Sequence, residues 1–342
     1  MNDYQPLDLS PFRNAGTELY PPNTAPPLGE QQFHGLPFQV GEGPQSFIRL
    51  DEAPVVVPVG QTARHILFAH ALLESRLMEG EPVGRVVATY TICYADGERL
   101  EVPIRERFEV AIVPTGWGQL PFRSVPDQKN GLHPRNEGKW GSAGHRQTEA
   151  TQAWPKGYYL WDWENPHPDR ELAAVELRGA GRTFVVAAIT LGHLDEEPLC
   201  REAATEVLIY LPQAGDAEKP FALEVEVDRG VATYPYALPR SDGDAFLADP
   251  QKGWGEAQNE ASAPAYVEIA ATPSATVTVK SGGEELGQAR WGELQATGVA
   301  EGERVRLEVV GAGRNWVHTT VLDDETGKPV PCRVHFRSPR GI

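Results

Sequence analysis

Glycine and proline occur 34 and 30 times in this chain, a density of turn formers that suits short strands joined by tight connections and leaves little room for long helices. Between these breakers, runs rich in β-branched and aromatic residues recur at 47–50, 54–59, 65–70, 86–94, 158–163, 172–178, 184–191 and 206–211. The most explicit is VVATYTICY at 86–94. It is followed by Asp96-Gly97 and by RLEVPI, in which Leu100, Val102 and Ile104 alternate with Arg99, Glu101 and Pro103. That pattern predicts a hairpin, with Asp-Gly supplying the positive φ its turn requires. Gly179-Ala180-Gly181-Arg182 reads as another hairpin turn, and helical signal is confined to 72–79 and 196–204.

The expected fold class is therefore all-β, with tandem β-sandwich modules, since 342 residues exceed what one hydrophobic core usually serves. Residues 1–45 contain Tyr20-Pro21-Pro22 and Ala25-Pro26-Pro27, whose fixed φ and missing N–H groups oppose both helix and ladder. They read as an extended segment packed on the first module. That module is assigned to 46–213 and ends at the polar stretch QAGDAEKP, 213–220. A second β-rich region, 221–342, carries runs at 223–227, 266–270, 275–280, 305–310, 316–322 and 333–336. Its last sheet wants further strands, because a sandwich of this type has about seven. The chain is accordingly expected to be the front part of something longer.

Charge narrows the partners. A formal net charge of -17, with no cluster of Lys and Arg, argues against a nucleic-acid or anionic-membrane partner, which is bound through counterion-releasing contacts. No window approaches the roughly 20 apolar residues of a membrane helix, and no export signal precedes Phe12, so a cytoplasmic location is predicted. Cys93, Cys200 and Cys332 lie far apart. That spacing gives neither a disulfide framework nor a zinc site, and they read as reduced core thiols.

The densest functional-looking segment is Trp161-Asp162-Trp163-Glu164-Asn165-Pro166-His167-Pro168-Asp169. On a strand the two tryptophans share one face and Asp162 and Glu164 the other. Indoles beside carboxylates suit a sugar, whose apolar ring face stacks on an aromatic while its hydroxyls seek acceptors. The alternative is that the tryptophans fill the core and Asn165-Pro166 turns the chain. Trp117 and Trp140, with His133 and His145, lie in a Gly-rich stretch of the kind that carries binding residues at one end of a sandwich. The candidate ligand-binding residues are thus Trp117, Trp161, Asp162, Trp163, Glu164 and His167.

His65 and His70 fall on opposite faces of a strand, and no His or Cys spacing matches a transition-metal site. Calcium is the metal to consider, through Asp96, Asp162 or Asp169, because oxygen-rich turns suffice for it. Ser142 does not sit in a nucleophile elbow, and no catalytic residue is assigned. An enzyme using Asp162, Glu164 or Asp169 with His167 stays open as a rival, as does a purely structural module.

Several stretches resemble the N-terminal portion of large bacterial CehA/McbA-type metallohydrolases. They include Pro6-Leu7-Asp8-Leu9-Ser10-Pro11-Phe12, Gly35-Leu36-Pro37-Phe38, Val57-Pro58-Val59-Gly60, Tyr94-Ala95-Asp96-Gly97, Glu164-Asn165-Pro166-His167-Pro168, Asn315-Trp316-Val317-His318 and the run from Thr326 to Phe336. The resemblance implies a first module like a galactose-binding jelly roll. It also implies a second that begins a carboxypeptidase-regulatory-like or transthyretin-like sandwich. In such proteins the metal-binding hydrolase domain lies downstream, so the chain is expected to be a non-catalytic, carbohydrate-binding accessory region. Its partners would be a glycan and a catalytic domain of the same polypeptide.

Overall fold

The structure, a computed structural model, describes residues 3–132, 150, 151, 153–201, 203–238, 248, 262–311 and 319–332. It divides into two compact units. One comprises Met1–Gly131, Thr151–Arg201 and Asp228–Gly230, the other Leu132–Ala150, Glu202–Val227 and Val231–Ile342. Strands dominate both, as expected of an all-β chain, and the helices are short.

In chain order come β1 (Tyr4–Pro6), β2 (Glu30–Phe33), β3 (Leu36–Gln39), β4 (Ile48–Arg49), β5 (Val55–Gln61), β6 (His65–Leu72), β7 (Val86–Tyr94), β8 (Arg99–Arg105) and β9 (Val125–Pro126). After the paired β10 (Gly131–Leu132) and β11 (Ala150–Thr151) follow β12 (Tyr159–Glu164), β13 (Leu172–Gly179) and β14 (Phe184–Gly192). One antiparallel sheet has the order β1-β14-β6-β12-β9 and the other β5-β13-β7-β8. The sheets face each other through Phe68 of β6, Tyr90 of β7 and Trp161 of β12, with ring centroids 4.6 to 6.2 Å apart.

The hairpin expected at Asp96-Gly97 joins β7 to β8, with Cys93 opposite Arg99 and Gly97 at φ 95°. The turn at Gly179-Ala180-Gly181-Arg182 is different: β13 and β14 belong to different sheets, so it arches between them. Gly181, at φ 75°, signals a reversal, but such a residue does not determine whether the next strand pairs back or crosses over. Of the two expected helical windows, 72–79 keeps only a 3-10 turn at Leu77–Glu79, because Leu72 ends β6. The described part of 196–204 has no helix.

Every residue of β6 and of β14 is buried. A strand loses its in-out alternation when both faces are covered, and here the cover comes from the N-terminal residues. Phe33 and Phe38 of the β2–β3 hairpin, with Tyr20 and Phe47, pack on Tyr158 and one another. The Tyr158 hydroxyl donates to the Pro27 carbonyl at 2.7 Å, and the Thr190 hydroxyl to the Pro37 carbonyl at 2.7 Å. The residues expected to lie extended on the first module thus form a third layer that belongs to its core.

The second unit contains β15 (Thr205–Tyr210), α1 (Ala214–Ala217), β16 (Leu223–Val227), β17 (Gly230–Ala232), β18 (Tyr236–Ala237), β19 (Ala265–Ala271), β20 (Thr276–Ser281), β21 (Glu284–Arg290), α2 (Trp291–Thr297), β22 (Val299–Glu301) and β23 (Arg306–Val309). Its sheets run β17-β19-β15-β23-β22 and β16-β20-β21. They enclose a core that includes Val207, Ile209, Val267, Val277, Trp291 and Leu294. Arg304 grips Asp216 through two nitrogens at 2.8 and 2.9 Å and Glu284 through a third at 2.6 Å, which holds the Asp216 carboxyl well below the usual range. Because β15 lies between β19 and β23, the change of unit falls after Arg201 rather than at 213. The polar stretch 213–220 is instead the turn around α1. The runs expected at 316–322 and 333–336 lie largely outside the described residues.

Candidate ligand-binding site

The structure separates the residues that the sequence grouped. Trp161 is 3% exposed and faces the other sheet, its indole stacked on Phe68 at 5.5 Å and parallel to the His70 ring at 6.3 Å. Trp163 is half-buried against the same core. Asn165 is buried and closes the strand end. Its amide donates to the Ala63 carbonyl at 2.7 Å, while its side-chain oxygen accepts from the Tyr94 hydroxyl at 2.6 Å and from the His167 N–H at 2.9 Å. Trp161 and the Asn165-Pro166 turn are therefore structural, and of the sugar-stacking face expected at Trp161 and Trp163 only the half-buried Trp163 reaches solvent. Glu164 and His167 are exposed, the His167 ring lying against Tyr94 at 5.8 Å.

Asp162 points to the opposite face but is also buried, where both its oxygens accept from His65 Nδ1 at 3.1 Å. Burial works against the His65 imidazolium. The Asp162 hydrogen bond and charge, reinforced by Glu164 and Glu197, outweigh it and hold the pKa above the ordinary histidine value. Burial likewise holds the Asp162 carboxyl above its usual range, against the pull of His65. The pair ties β6 to β12, where Glu164 is opposite His65.

His70, one of the strand's other residues, serves the core. A carbonyl can only accept, so Nε2–H donates to Glu109 O at 2.8 Å, which leaves Nδ1 to accept the Tyr90 O–H at 2.9 Å.

Trp117 stands at the other end of the sandwich. Tyr159, at the start of β12, bonds through its hydroxyl to Thr115, two residues from Trp117. Glu164 is five residues further along β12, roughly 16 Å at about 3.3 Å per residue. Trp117 is 92% exposed on a loop that is nonetheless braced. Gln119 accepts the Gly116 N–H on its side chain and donates its own N–H to the Gly116 carbonyl, both at 3.1 Å. At the loop's base the Val113 N–H donates to Leu72 O at 2.9 Å.

Five residues along the chain from Trp117 comes Phe122, 67% exposed, edge-on to Phe108 at 5.5 Å. Arg107 sits 5.5 Å over the Phe122 ring and donates from Nε to the Leu120 carbonyl at 3.3 Å, while Arg105 covers Phe108 at 4.5 Å. Arg105 and Arg123 share the buried Glu109 carboxylate at 2.7 and 3.1 Å. Burial opposes that charge, but the arginines hold it ionised and its pKa low. Arg107 makes no ion pair with a described residue, and its backbone holds φ 71°. The result is a platform of aromatic faces with guanidinium groups at its edge. Such a surface can stack an apolar ring face and offer it planar hydrogen-bond donors.

The calcium candidates fare differently. Both Asp96 oxygens accept from Arg170, at 2.7 and 2.5 Å, so a guanidinium already occupies that turn. Asp162 is engaged by His65, and Asp169 is exposed without a neighbouring ligand set. Among the described residues no group of three His, Cys, Asp or Glu side chains is placed to hold a metal ion. The cysteines form no disulfide among the described residues, and they are not core: Cys93 and Cys200 are half-buried and Cys332 exposed. Trp140, His133 and His145 lie outside the described residues.

Phe122, Arg105, Arg107 and Arg123 escaped the sequence reading. The interleaving of Arg and Phe at 105–108 and 122–123 was the available signal, but only the pairing of the two segments brings them together. No helix among the described residues is long and apolar enough to cross a membrane. Comparison of the chain with protein-family models, curated proteins and solved structures finds no match.

Proposed function

We propose that this chain is a non-catalytic binding module that holds a glycan against Trp117. In this reading the first sandwich is a jelly roll of the galactose-binding type. The module serves as the accessory region of a larger metallohydrolase, whose catalytic domain acts on what the module holds. The exposed indole of Trp117 on its braced loop carries the proposal. An exposed aromatic face on a braced loop can stack at little cost in backbone ordering, and truncating such a face costs binding rather than folding. Isothermal titration against neutral and acidic oligosaccharides tests it. Trp117→Ala is expected to abolish binding while leaving the melting temperature within about a degree, as an exposed side chain away from the core should. Undiminished binding by that variant would overturn the assignment.

A second reading, a glycan-active hydrolase or lyase, is favoured by one observation: His65 Nδ1 donates to Asp162 in the arrangement that orients an imidazole for proton transfer. It requires turnover by this chain. Product analysis by mass spectrometry across glycan and ester pools that finds none would remove it and leave the binding role.

A further inference from the structure

Resting on the binding role of Trp117, we infer that the ligand is an acidic sugar, bearing carboxylate or sulfate groups, and that Arg107 is the residue that selects it. The chain carries a net charge of -17, and of the first unit's described arginines all but Arg13 and Arg107 pair with a carboxylate, as Arg99 does with Glu176 and Arg170 with Asp96 and Glu98. The Trp117 loop departs from this. Arg105 and Arg123 share one carboxylate, Glu109, and Arg107 pairs with none, so the two segments that flank the most exposed aromatic side chain of the described residues in sequence carry three cations and only two are ion-paired.

Arg107 is held there at a conformational cost, since a non-glycine residue at φ 71° occupies a sparsely populated region and such residues gather at ligand clamps. Its Nε is spent on the Leu120 carbonyl, three residues from Trp117, and its plane lies on Phe122. Its two terminal nitrogens carry no hydrogen bond to described residues. A guanidinium with free terminal nitrogens matches a carboxylate or sulfate by paired N–H donation. A sugar ring stacked on Trp117 would place an acidic substituent toward that edge. Indiscriminate attraction of polyanions does not explain such binding, because the rest of the chain repels them.

The test uses two matched pairs of ligands, polygalacturonate with its full methyl ester and dextran sulfate with dextran, titrated at low and at physiological salt while tryptophan fluorescence is followed, with Trp117→Ala giving the part of the signal that comes from the other tryptophans. At least one charged member is expected to bind tenfold or more tighter than its neutral partner, with the difference shrinking as salt rises. Arg107→Gln should remove that preference, by roughly tenfold, the usual worth of a charge-assisted hydrogen bond. Its far-ultraviolet dichroism and melting temperature would show that it folds, with Arg123→Gln as a second variant in case it does not. Equal binding of charged and neutral partners would overturn the acidic-sugar inference while leaving the glycan role of Trp117 standing. Absence of binding to all four ligands, or binding only to vesicles of anionic phospholipid, would overturn both.

Discussion

His70 shows how one side chain can set the acid limit of a fold. Its ring is wholly enclosed, satisfied in the neutral form by Tyr90 and Glu109, and burial holds its pKa down at about 4. In the unfolded chain it takes a proton near 6.5, so the stability it brings is complete above that value and is lost as pH falls from 6.5 toward 4. The shift is worth about 3 kcal/mol at 1.36 kcal/mol per pH unit. Urea midpoints measured between pH 7 and 4 should fall, and in His70→Gln the slope in this window should flatten even though the variant is less stable throughout. Asp162, whose carboxyl burial holds high, acts with opposite sign there and is common to both proteins. At this scale the sequence was legible in part. Period-two spacing put Trp161 and Trp163 on one face, but nothing local to Trp161 distinguishes an inner face from an outer one. That depends on Tyr90, 71 positions away in the opposite sheet.

Elements were legible where their signal is local. The runs at 86–94 and 172–178 became β7 and β13 almost residue for residue, because alternation and turn chemistry act within a few positions. Pairing partners were not: the arch at Gly179-Arg182 carries the same residues as a hairpin turn, and β15 joined the second unit although the polar stretch follows it. The N-terminal layer illustrates the energetic side. Gly157 lies so close to the Pro26-Pro27 segment that a Cβ there would meet Pro26 Cβ at 2.6 Å and Cα at 2.9 Å. Nearby, Tyr20 donates to its carbonyl at 3.1 Å and Asp127 accepts its N–H at 2.9 Å. Gly157→Ala should therefore lift the N-terminal layer from β12. The expected loss is about 1–3 kcal/mol, as for other overpacked sites, with faster hydrogen exchange or proteolysis at 20–40. Unchanged exchange there would show that the layer yields without strain.

For the molecule as a whole, the His65–Asp162 pair sets a limit on the alkaline side that complements the one from His70. His65 gains its proton more readily in the fold than in the unfolded chain. Its contribution is thus complete below pH 6.5 and is lost as pH rises through the raised folded value. Stability should therefore fall as pH rises above 6.5 through the folded value. His65→Asn, which keeps a donor toward Asp162 but cannot titrate, should remove that slope. Fold class was readable from composition and run length, since no arrangement of so many short runs builds a helical core. The candidate site was readable only at Trp117, because the rest of it depends on the register that brings 105–108 beside 122–123.

The enclosure of β6 and β14 on both faces has a consequence for handling the protein. A chain begun at residue 46 would keep every strand of the facing sheet yet lose β1 and the β2–β3 hairpin. β4 would still pair with Val185 and Val186, but the outer edge of β14 at Thr190–Gly192 would stand open beside a bare apolar surface, an unpaired edge that recruits strands from neighbouring copies. Such a shortened chain should elute as high-mass species in size-exclusion chromatography.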